Sequence, residues 1–136
     1  MESPATRSRT MQAVKSKNTA PELFVRRLLH ARGYRYRLHR SDLPGCPDLV
    51  FCRRQKVIFV HGCFWHGHTC ARGGRLPKTN ADYWKQKIGR NRARDQRNLS
   101  ALQASGWAVL VIWECELQAS ETLIDRITRF LSEKAV

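Results

Sequence analysis

Segment 61–70 constrains the fold of this chain more than any other feature, because it carries two cysteines and three histidines within ten residues. Zinc prefers nitrogen and sulfur ligands of this kind, and a structural zinc ion takes four of them in a tetrahedron. One tight loop rarely places four donors in that way, so we expect one ligand from a distant part of the chain. Cys115 is the candidate, provided that the strand before it ends beside the loop. Free thiols with surface histidines are the alternative.

The spacing alone leaves open which donors would bind the metal. One possible set of four is Cys63, His68, Cys70 and Cys115. That set leaves His61 and His66 without a metal, and a neutral histidine with a pKa of about 6.5 is the usual general base for activating water. Alternatively, one of these two histidines is a zinc ligand and the other is an ordinary residue at the end of a strand.

Hydrophobic periodicity predicts an α/β domain over residues 19–136 with the element order α-β-β-β-α-β-α. The predicted helices and strands are helices 19–33, 80–104 and 120–133 and strands 34–38, 48–52, 57–61 and 107–113. The short connection 53–55 indicates that the strands on either side of it pair antiparallel. The apolar run 107–113 is typical of an internal strand that is covered on both faces.

Capping residues and apolar stripes support the three helices. Thr19 and Asn80 are predicted N-caps, and Gly33 and Gly106 mark the ends of the first two helices. The predicted buried stripe of the first helix is Phe24, Val25, Leu28, Leu29 and Ala31. That of the last helix is Leu123, Ile124, Ile127, Phe130 and Leu131.

The charge of the chain points to a polyanionic partner. There are 25 Lys and Arg against 11 Asp and Glu, a net charge of +14, which favours nucleic acid, although some basic proteins bind ribosomes or membranes. The polar, basic residues 1–18 are expected to form a flexible arm that orders on its partner. We see no run of the ~18 apolar residues that a membrane span needs and no secretory signal, so we expect a cytoplasmic protein.

Two further patterns could contact nucleic acid. Four basic residues recur along one face of the second helix: Lys87, Arg90, Arg94 and Arg97. With Lys85 and Arg92 beside it, this mostly positive face favours phosphate contacts over a merely solvated surface. The adjacent Phe64 and Trp65 are either core anchors or wedges that enter a base stack.

Two carboxylates are candidates for catalysis. Asp48 follows Pro47 at the start of a predicted strand, and an Asp carboxylate suits Mg²⁺, which binds phosphate oxygens and assists phosphodiester hydrolysis. By itself a Pro-Asp pair also fits a structural turn. Glu22 near the start of the first helix is equally compatible with an ordinary interaction with the helix dipole.

Taken together, the motifs resemble those of the very short patch repair (Vsr) mismatch endonucleases over nearly the whole chain. The matching segments are RSRTM at 7–11, TAPE at 19–22, LPGCPD at 43–48, VIFVHGCFWH at 57–66, WKQKIGRN at 84–91, RD at 94–95 and WEC at 113–115. The resemblance implies a restriction-endonuclease-like three-layer sandwich around a mixed sheet. It also implies a Mg²⁺-dependent nick on the 5′ side of the thymine in a T:G mismatch that arises by deamination of 5-methylcytosine.

The resemblance also implies roles for individual residues. Asp48 would bind Mg²⁺ together with position 60, His66 would be the general base, and Glu22, His61 and Asp95 would support the active centre. The structural zinc would be held by Cys63, His68, Cys70 and Cys115. The residues that would contact DNA are Met11, Phe64, Trp65, Lys87, Arg90 and Arg94. The expected partners are mismatched double-stranded DNA and, functionally, a cytosine-5 methyltransferase, with the protein acting as a monomer on the nucleoid.

The chain departs from the family pattern at three places. Val60 replaces a threonine that serves the metal, which matters only if the hydroxyl rather than the backbone carbonyl is the ligand. Gly67 and Thr69 interrupt a longer histidine run, and Cys46 replaces an arginine that could contact phosphate. The competing hypothesis is a zinc-stabilised DNA-binding module without catalysis, which would need neither Asp48 nor His66.

Overall fold

The structure, a computed structural model, describes residues 18–68, 70 and 77–133. The helices are α1 (Ala20–Ala31), α2 (Ala81–Ala104) and α3 (Ser120–Ser132), and a 3₁₀ helix spans Glu114–Gln118. The strands are β1 (Arg37–Leu38), β2 (Leu49–Phe51), β3 (Lys56–His61) and β4 (Ala108–Trp113). This is the predicted order of helices and strands, and the 3₁₀ helix was not predicted. Most of the predicted arm 1–18, including Met11, lies outside the described residues.

The four described strands form one mixed sheet in the order β1-β2-β3-β4. The neighbours β2 and β3 pair antiparallel, as predicted, and β1 also pairs antiparallel with β2. β4 pairs parallel with β3, so that His61 lies opposite Trp113. α2 makes the crossover that a parallel pair requires. Both strand ends that precede the predicted zinc ligands therefore lie side by side.

Helices cover both faces of the sheet. On one face, Val25 and Leu29 of α1 and Ile127 of α3 pack in a buried cluster with residues of β2, β3 and β4. On the other face, Leu102 of α2 packs in a second cluster with residues of β2 and β3. Each fully buried aliphatic side chain contributes roughly 1.5–3 kcal/mol through the hydrophobic effect.

The position of β4 differs from the prediction for run 107–113. Both faces of β4 are covered as expected, since Leu110 and Ile112 pack on one cluster and Val109 and Val111 on the other. The internal position is wrong, because in the described sheet β4 is an edge strand next to β3 alone. An apolar run reports that both faces are covered, and it carries no information about how many strands lie alongside.

Four side chains of the predicted stripes are more exposed than expected: Phe24 and Ala31 are exposed, and Leu28 and Phe130 are only partly buried. Phe24 is 38% exposed, whereas the buried residues of α1 are Glu22, Val25 and Leu29. The buried face of α1 therefore includes the Glu22 carboxylate and excludes Phe24. Phe130 is only partly buried at the edge of its cluster.

The first strand is shorter than the predicted strand 34–38. Only Arg37–Leu38 pair in it, while the Tyr34 and Tyr36 rings pack against Phe51.

The two predicted N-caps behave differently. Thr19 caps α1, since its Oγ1 accepts a hydrogen bond from the Glu22 backbone N–H at 3.3 Å. Asn80 precedes α2 with φ 57°, in the left-handed region, and its side chain makes no capping hydrogen bond. A capping side chain normally requires extended backbone at that residue, so the predicted cap is wrong for Asn80.

Among the described residues, no helix is long and apolar enough to cross a membrane.

Candidate functional site

A cleft of ≈ 1020 Å³ opens where β2 begins and where β3 and β4 end, and α2 forms one of its walls. Its lining includes most of the side chains that the sequence singled out: Asp48, Val60, His61, Phe64, Trp65, His66, Lys87, Arg94 and Asp95. Three clusters of potential metal ligands lie in or beside it.

The first cluster, which we call the Cys/His cluster, combines three thiols and one imidazole. The ligand atoms of Cys63, His68, Cys70 and Cys115 all lie within 4.8 Å of one another. Cys63 follows the last residue of β3 by two positions, and Cys115 follows the last residue of β4 by two. The parallel pairing of His61 with Trp113 therefore brings the two cysteines together. The sequence-based expectation that the strand before Cys115 ends beside the loop is confirmed.

The thiols of this cluster fit a bound cation. Burial raises the pKa of the Cys63 thiol to about 12, and burial also raises the pKa of Cys115. A divalent ion would reverse this, because it deprotonates thiols that coordinate it. His68 is fixed by stacking on the Trp113 ring at 4.2 Å, and its Nδ1 lies 3.5 Å from the Cys115 sulfur. The donor set could thus hold a metal ion that prefers sulfur and nitrogen.

The second cluster, which we call the carboxylate cluster, consists of Glu22, His39 and Asp48. Asp48 is 7% exposed and Glu22 is 1% exposed. The Val60 backbone N–H donates to Asp48 Oδ2 at 2.7 Å, and His39 Nε2 lies 2.9 Å from both oxygens of Glu22. Burial raises the pKa of Asp48 to about 7, and the hydrogen bond from the Val60 N–H opposes this rise. The charge of Glu22 and a hydrogen bond between the Glu22 and Asp48 side chains add to the rise. Two carboxylates placed together in this way favour a nearby cation.

The third cluster is formed by His61, His66 and Asp95. The two imidazole rings stack at 3.8 Å with an interplanar angle of 3°, and His66 Nδ1 lies 2.5 Å from Asp95 Oδ2. A carboxylate at Nδ1 fixes the tautomer that leaves Nε2 free to accept a proton. Burial, together with His66, lowers the pKa of His61 to about 4. His61 is therefore uncharged at neutral pH, and its buried Nδ1 has no hydrogen-bond partner among the described residues.

Aromatic side chains form one rim of the cleft. Phe64 and Trp65 are half-buried, contact each other edge to face at 5.2 Å and both pack on Trp84 at 5.7 Å. Neither side chain belongs to the two apolar clusters that cover the sheet. The ammonium of Lys87 lies 5.6 Å from the centre of the Trp65 ring, where a cation is attracted to the ring face.

The basic face of α2 contributes only in part to the cleft. Lys87, Arg92 and Arg94 line it, whereas Arg90 and Arg97 are exposed and are not among the described lining residues. Asn91 lies between Lys87 and Arg94, and its Nδ2 donates to the Trp65 carbonyl at 2.9 Å, which ties the aromatic loop to the helix.

Sequence reasoning did not single out His39, Trp84 or Asn91. Trp84 and Asn91 lie on the same side of α2 as Lys87, so helical spacing from Lys87 would have indicated them. His39 carries no such local signal. The pairing of β1 with β2 brings His39 to the site, because its register continues from Leu38–Leu49 to His39–Asp48.

Gly67 interrupts the histidine run for a steric reason. Its φ is +62°, and a Cβ there would lie 2.7 Å from Ile88 Cγ2 and from Arg92 Cδ. Ile88 is buried, so the loop approaches α2 more closely than a side chain would allow. Cys46, the other departure in this region, lines the cleft with φ +49°.

Comparisons with known proteins agree with the chemistry of this cleft. Residues 1–72 match the family described as DNA mismatch endonuclease Vsr. The type II nicking enzyme V.XorIIP of Xanthomonas oryzae pv. oryzae is 59% identical over 129 residues, which cover 95% of this chain and 94% of that protein. The DNA mismatch endonuclease Vsr of Escherichia coli is 44% identical over 130 residues, 95% of this chain and 83% of that protein. The type II nicking enzyme V.NmeAIP of Neisseria meningitidis is 42% identical, over 93% and 90%.

Proposed function

The chain belongs to the Vsr family of DNA mismatch endonucleases, and on that premise we propose that it nicks double-stranded DNA on the 5′ side of the thymine in a T:G mismatch. Such a mismatch arises when 5-methylcytosine is deaminated, so the nick would initiate very short patch repair beside a cytosine-5 methyltransferase. The observation that carries the proposal is the meeting of the carboxylate cluster and the His66–Asp95 pair in one cleft. Helices on both faces of a mixed sheet support a restriction-endonuclease-like fold. We expect a monomer in the cytoplasm.

The carboxylate cluster supports a magnesium site at Asp48, with the Val60 backbone as a second ligand. Mg²⁺ prefers oxygen ligands, and Asp48 offers a buried carboxylate that is stabilised in its charged form by a cation. When bound, a divalent cation would stabilise charge on the scissile phosphate and on the leaving oxygen. Glu22 would support the magnesium site as the second carboxylate of the cluster.

His66 acts as the general base in this proposal. Asp95 holds Nδ1, so Nε2 is the atom that takes the proton from the attacking water. His61 supports the ring of His66 by stacking against it and, being uncharged, does not compete for the proton. The zinc ion bound by Cys63, His68, Cys70 and Cys115 would fix the loop on both sides of His66.

The aromatic rim and α2 would contact the DNA. Phe64 and Trp65 would enter the base stack beside the mismatch, with Met11 of the arm, and wedging of this kind kinks a duplex. Lys87, Arg90 and Arg94 would contact the phosphates and the mispaired region. A zinc-stabilised DNA-binding module without catalysis is the weaker interpretation, because membership of an endonuclease family and the His66–Asp95 pair both point to hydrolysis.

The threonine that Val60 replaces is proposed to be dispensable for the metal. Val60 is 9% exposed at the edge of the cleft and belongs to the apolar cluster with α1 and α3, while its backbone N–H donates to Asp48. Val60→Thr should therefore leave the nicking rate within about twofold, and it should lower the free energy of unfolding by about 1–3 kcal/mol through the buried hydroxyl. Chemical denaturation and single-turnover nicking measure the two effects. A tenfold faster Val60→Thr enzyme would show that the hydroxyl serves the metal.

The proposed specificity is tested with a pool of duplexes that carry one central T:G mismatch between randomised flanking bases. We expect nicks only in the thymine-containing strand, on the 5′ side of the thymine, and only when Mg²⁺ is added. Sequencing the nicked ends gives the position and the flanking preference together. Matched pools with T:A and C:G at the centre are the controls. Equal cleavage of the T:A pool, or nicking in excess chelator, would contradict the proposal.

A further inference from the structure

His39 is the third member of the carboxylate cluster, and the proposed mechanism gives it no task. It follows the last residue of β1, and its backbone N–H donates to the Asp48 carbonyl at 3.3 Å. Its φ is +50°, in the left-handed region that a residue with a Cβ enters at a cost of roughly 1–2 kcal/mol. The side chain is 11% exposed. The chain therefore maintains an unfavourable backbone conformation that turns this imidazole into the cleft.

The contacts of His39 join α1 to the start of β2. Nε2 is 2.9 Å from both Oε1 and Oε2 of Glu22 and 4.0 Å from Oδ1 of Asp48. Oδ1 is the Asp48 oxygen that faces away from Val60, whose N–H donates to Oδ2. His39 thus contacts the Glu22 carboxylate directly and lies within 4.0 Å of the Asp48 carboxylate.

Glu22 has two further partners besides His39, namely Asn18 and Arg26. Its Oε1 accepts from the Asn18 backbone N–H at 3.2 Å, and its Oε2 accepts from Arg26 at 3.3 Å. Both partners belong to the start of α1 and its first turns, and Arg26 is itself held by Asn18 at 2.8 Å. Without His39, the Glu22 carboxylate would keep Asn18 and Arg26 as partners and would lose the donor that also lies 4.0 Å from Asp48.

We propose that His39 is a positioning residue for the nicking reaction: its Nε2–H holds the Glu22 carboxylate facing Asp48, and so fixes the pair of carboxylates that takes the divalent cation. This inference rests on the proposed function, since it assigns Asp48 to the cation. His39 acts through Glu22 and is not itself a ligand.

The test uses His39→Ala and His39→Gln in the full chain, with His30→Gln as the matched control. A glutamine amide can place an N–H donor close to the position of Nε2, whereas alanine removes it. His30 is exposed in the last turn of α1, away from the cleft. Mn²⁺ serves as the probe, because its binding to the DNA-free protein is followed by electron paramagnetic resonance. Asp48→Asn gives the background of Mn²⁺ bound elsewhere.

We expect His39→Ala to weaken Mn²⁺ binding about 10–100-fold, the usual effect of removing a group that orients a metal ligand. The single-turnover nicking rate at saturating T:G duplex should fall by a similar factor, while the dissociation constant for the duplex without metal stays within about twofold. His39→Gln should recover most of both losses, and His30→Gln should match the wild type. Rescue by glutamine is a result that a merely structural histidine would not give.

Three results would overturn the assignment. The first is wild-type Mn²⁺ binding by His39→Ala. The second is a His39→Gln protein that melts like the wild type but binds Mn²⁺ as weakly as His39→Ala. The third is a directly coordinated nitrogen in the Mn²⁺ spectrum that disappears in His39→Gln, which would make His39 a ligand. Because Mn²⁺ binding is measured without DNA, it tests His39 even if the T:G duplex proves not to be the substrate.

Discussion

Asp48→Asn is expected to abolish nicking of a T:G duplex while the protein still binds the mismatch. The amide keeps an oxygen that can accept from the Val60 N–H, so the start of β2 should be undisturbed. It removes the negative charge that the divalent cation needs. Because a bound cation supplies several kcal/mol of transition-state stabilisation, the single-turnover rate should fall by at least about 10³-fold. The aromatic rim and the basic residues of α2 are unchanged, so the dissociation constant should stay within about threefold.

The stability of the same variant separates a lost ligand from a damaged fold. Burial raises the pKa of Asp48 from its usual 3.8 to about 7 in the folded protein, so the folded state binds this proton more tightly than the unfolded chain does. Stability from this group is therefore present below the unfolded pKa and is lost as the pH rises through about 7. An amide does not titrate in this pH range, so Asp48→Asn does not lose stability as the pH rises through about 7. The melting temperature of Asp48→Asn at pH ~8 without metal should thus be no lower than that of the wild type.

The matched control for this variant is Asp42→Asn. Asp42 lies in the loop that leads to Asp48, but its side chain is 62% exposed and is paired with Arg40. Its substitution should leave the nicking rate unchanged. If Asp48→Asn nicks within tenfold of the wild type, the cation is held elsewhere, and the His61, His66 and Asp95 cluster becomes the candidate for it.

His66→Ala should also lose nicking, by about 10²–10⁴-fold, which is the usual contribution of a general base. The structural reason is the 2.5 Å contact between His66 Nδ1 and Asp95, which leaves Nε2 as the proton acceptor. The variant should nevertheless keep its zinc, because the four donors of the Cys/His cluster do not include His66. Zinc content and single-turnover nicking are measured on the same preparation.

Cys115→Ser is the contrasting variant for that experiment. It removes a donor from the Cys/His cluster, so zinc content and melting temperature should fall together, since zinc binding is coupled to folding. If His66→Ala loses zinc as well as activity, His66 is a ligand, and the role of general base passes to His61. If Cys115→Ser keeps both its zinc and its melting temperature, the fourth ligand is not Cys115.

The contrast between local and long-range information is clearest at β4. The continuous apolar run 107–113 predicted correctly that both faces of a strand are covered, because successive side chains point to opposite faces and all of them are apolar. The same residues could not indicate that β4 is an edge strand. Every strand offers the same backbone donors and acceptors along its two edges, so the residues of one strand do not indicate which strands lie beside it.

The sequence by itself determined the order of the helices and strands and the loop 61–70 that carries cysteines and histidines. Both depend on residues that are near one another in the chain, where helical or strand spacing fixes which side chains share a face. Asp48, His61 and His66 could be named as candidates from the sequence, and the resemblance to the Vsr family supplied their expected roles. Asn80 shows the limit of such rules even locally, since a residue with good capping chemistry adopts a backbone conformation from which it does not cap.

Only the tertiary structure decided how these parts combine into one site. Glu22 and Asp48 are 26 positions apart in the chain, and their cluster with His39 exists because β1 pairs antiparallel with β2 while α1 packs across them. Cys115 reaches the loop of segment 61–70 because β4 lies parallel to β3 in register. A register shift of one residue would turn every side chain of a strand to the opposite face, so these contacts depend on pairings that no local pattern specifies.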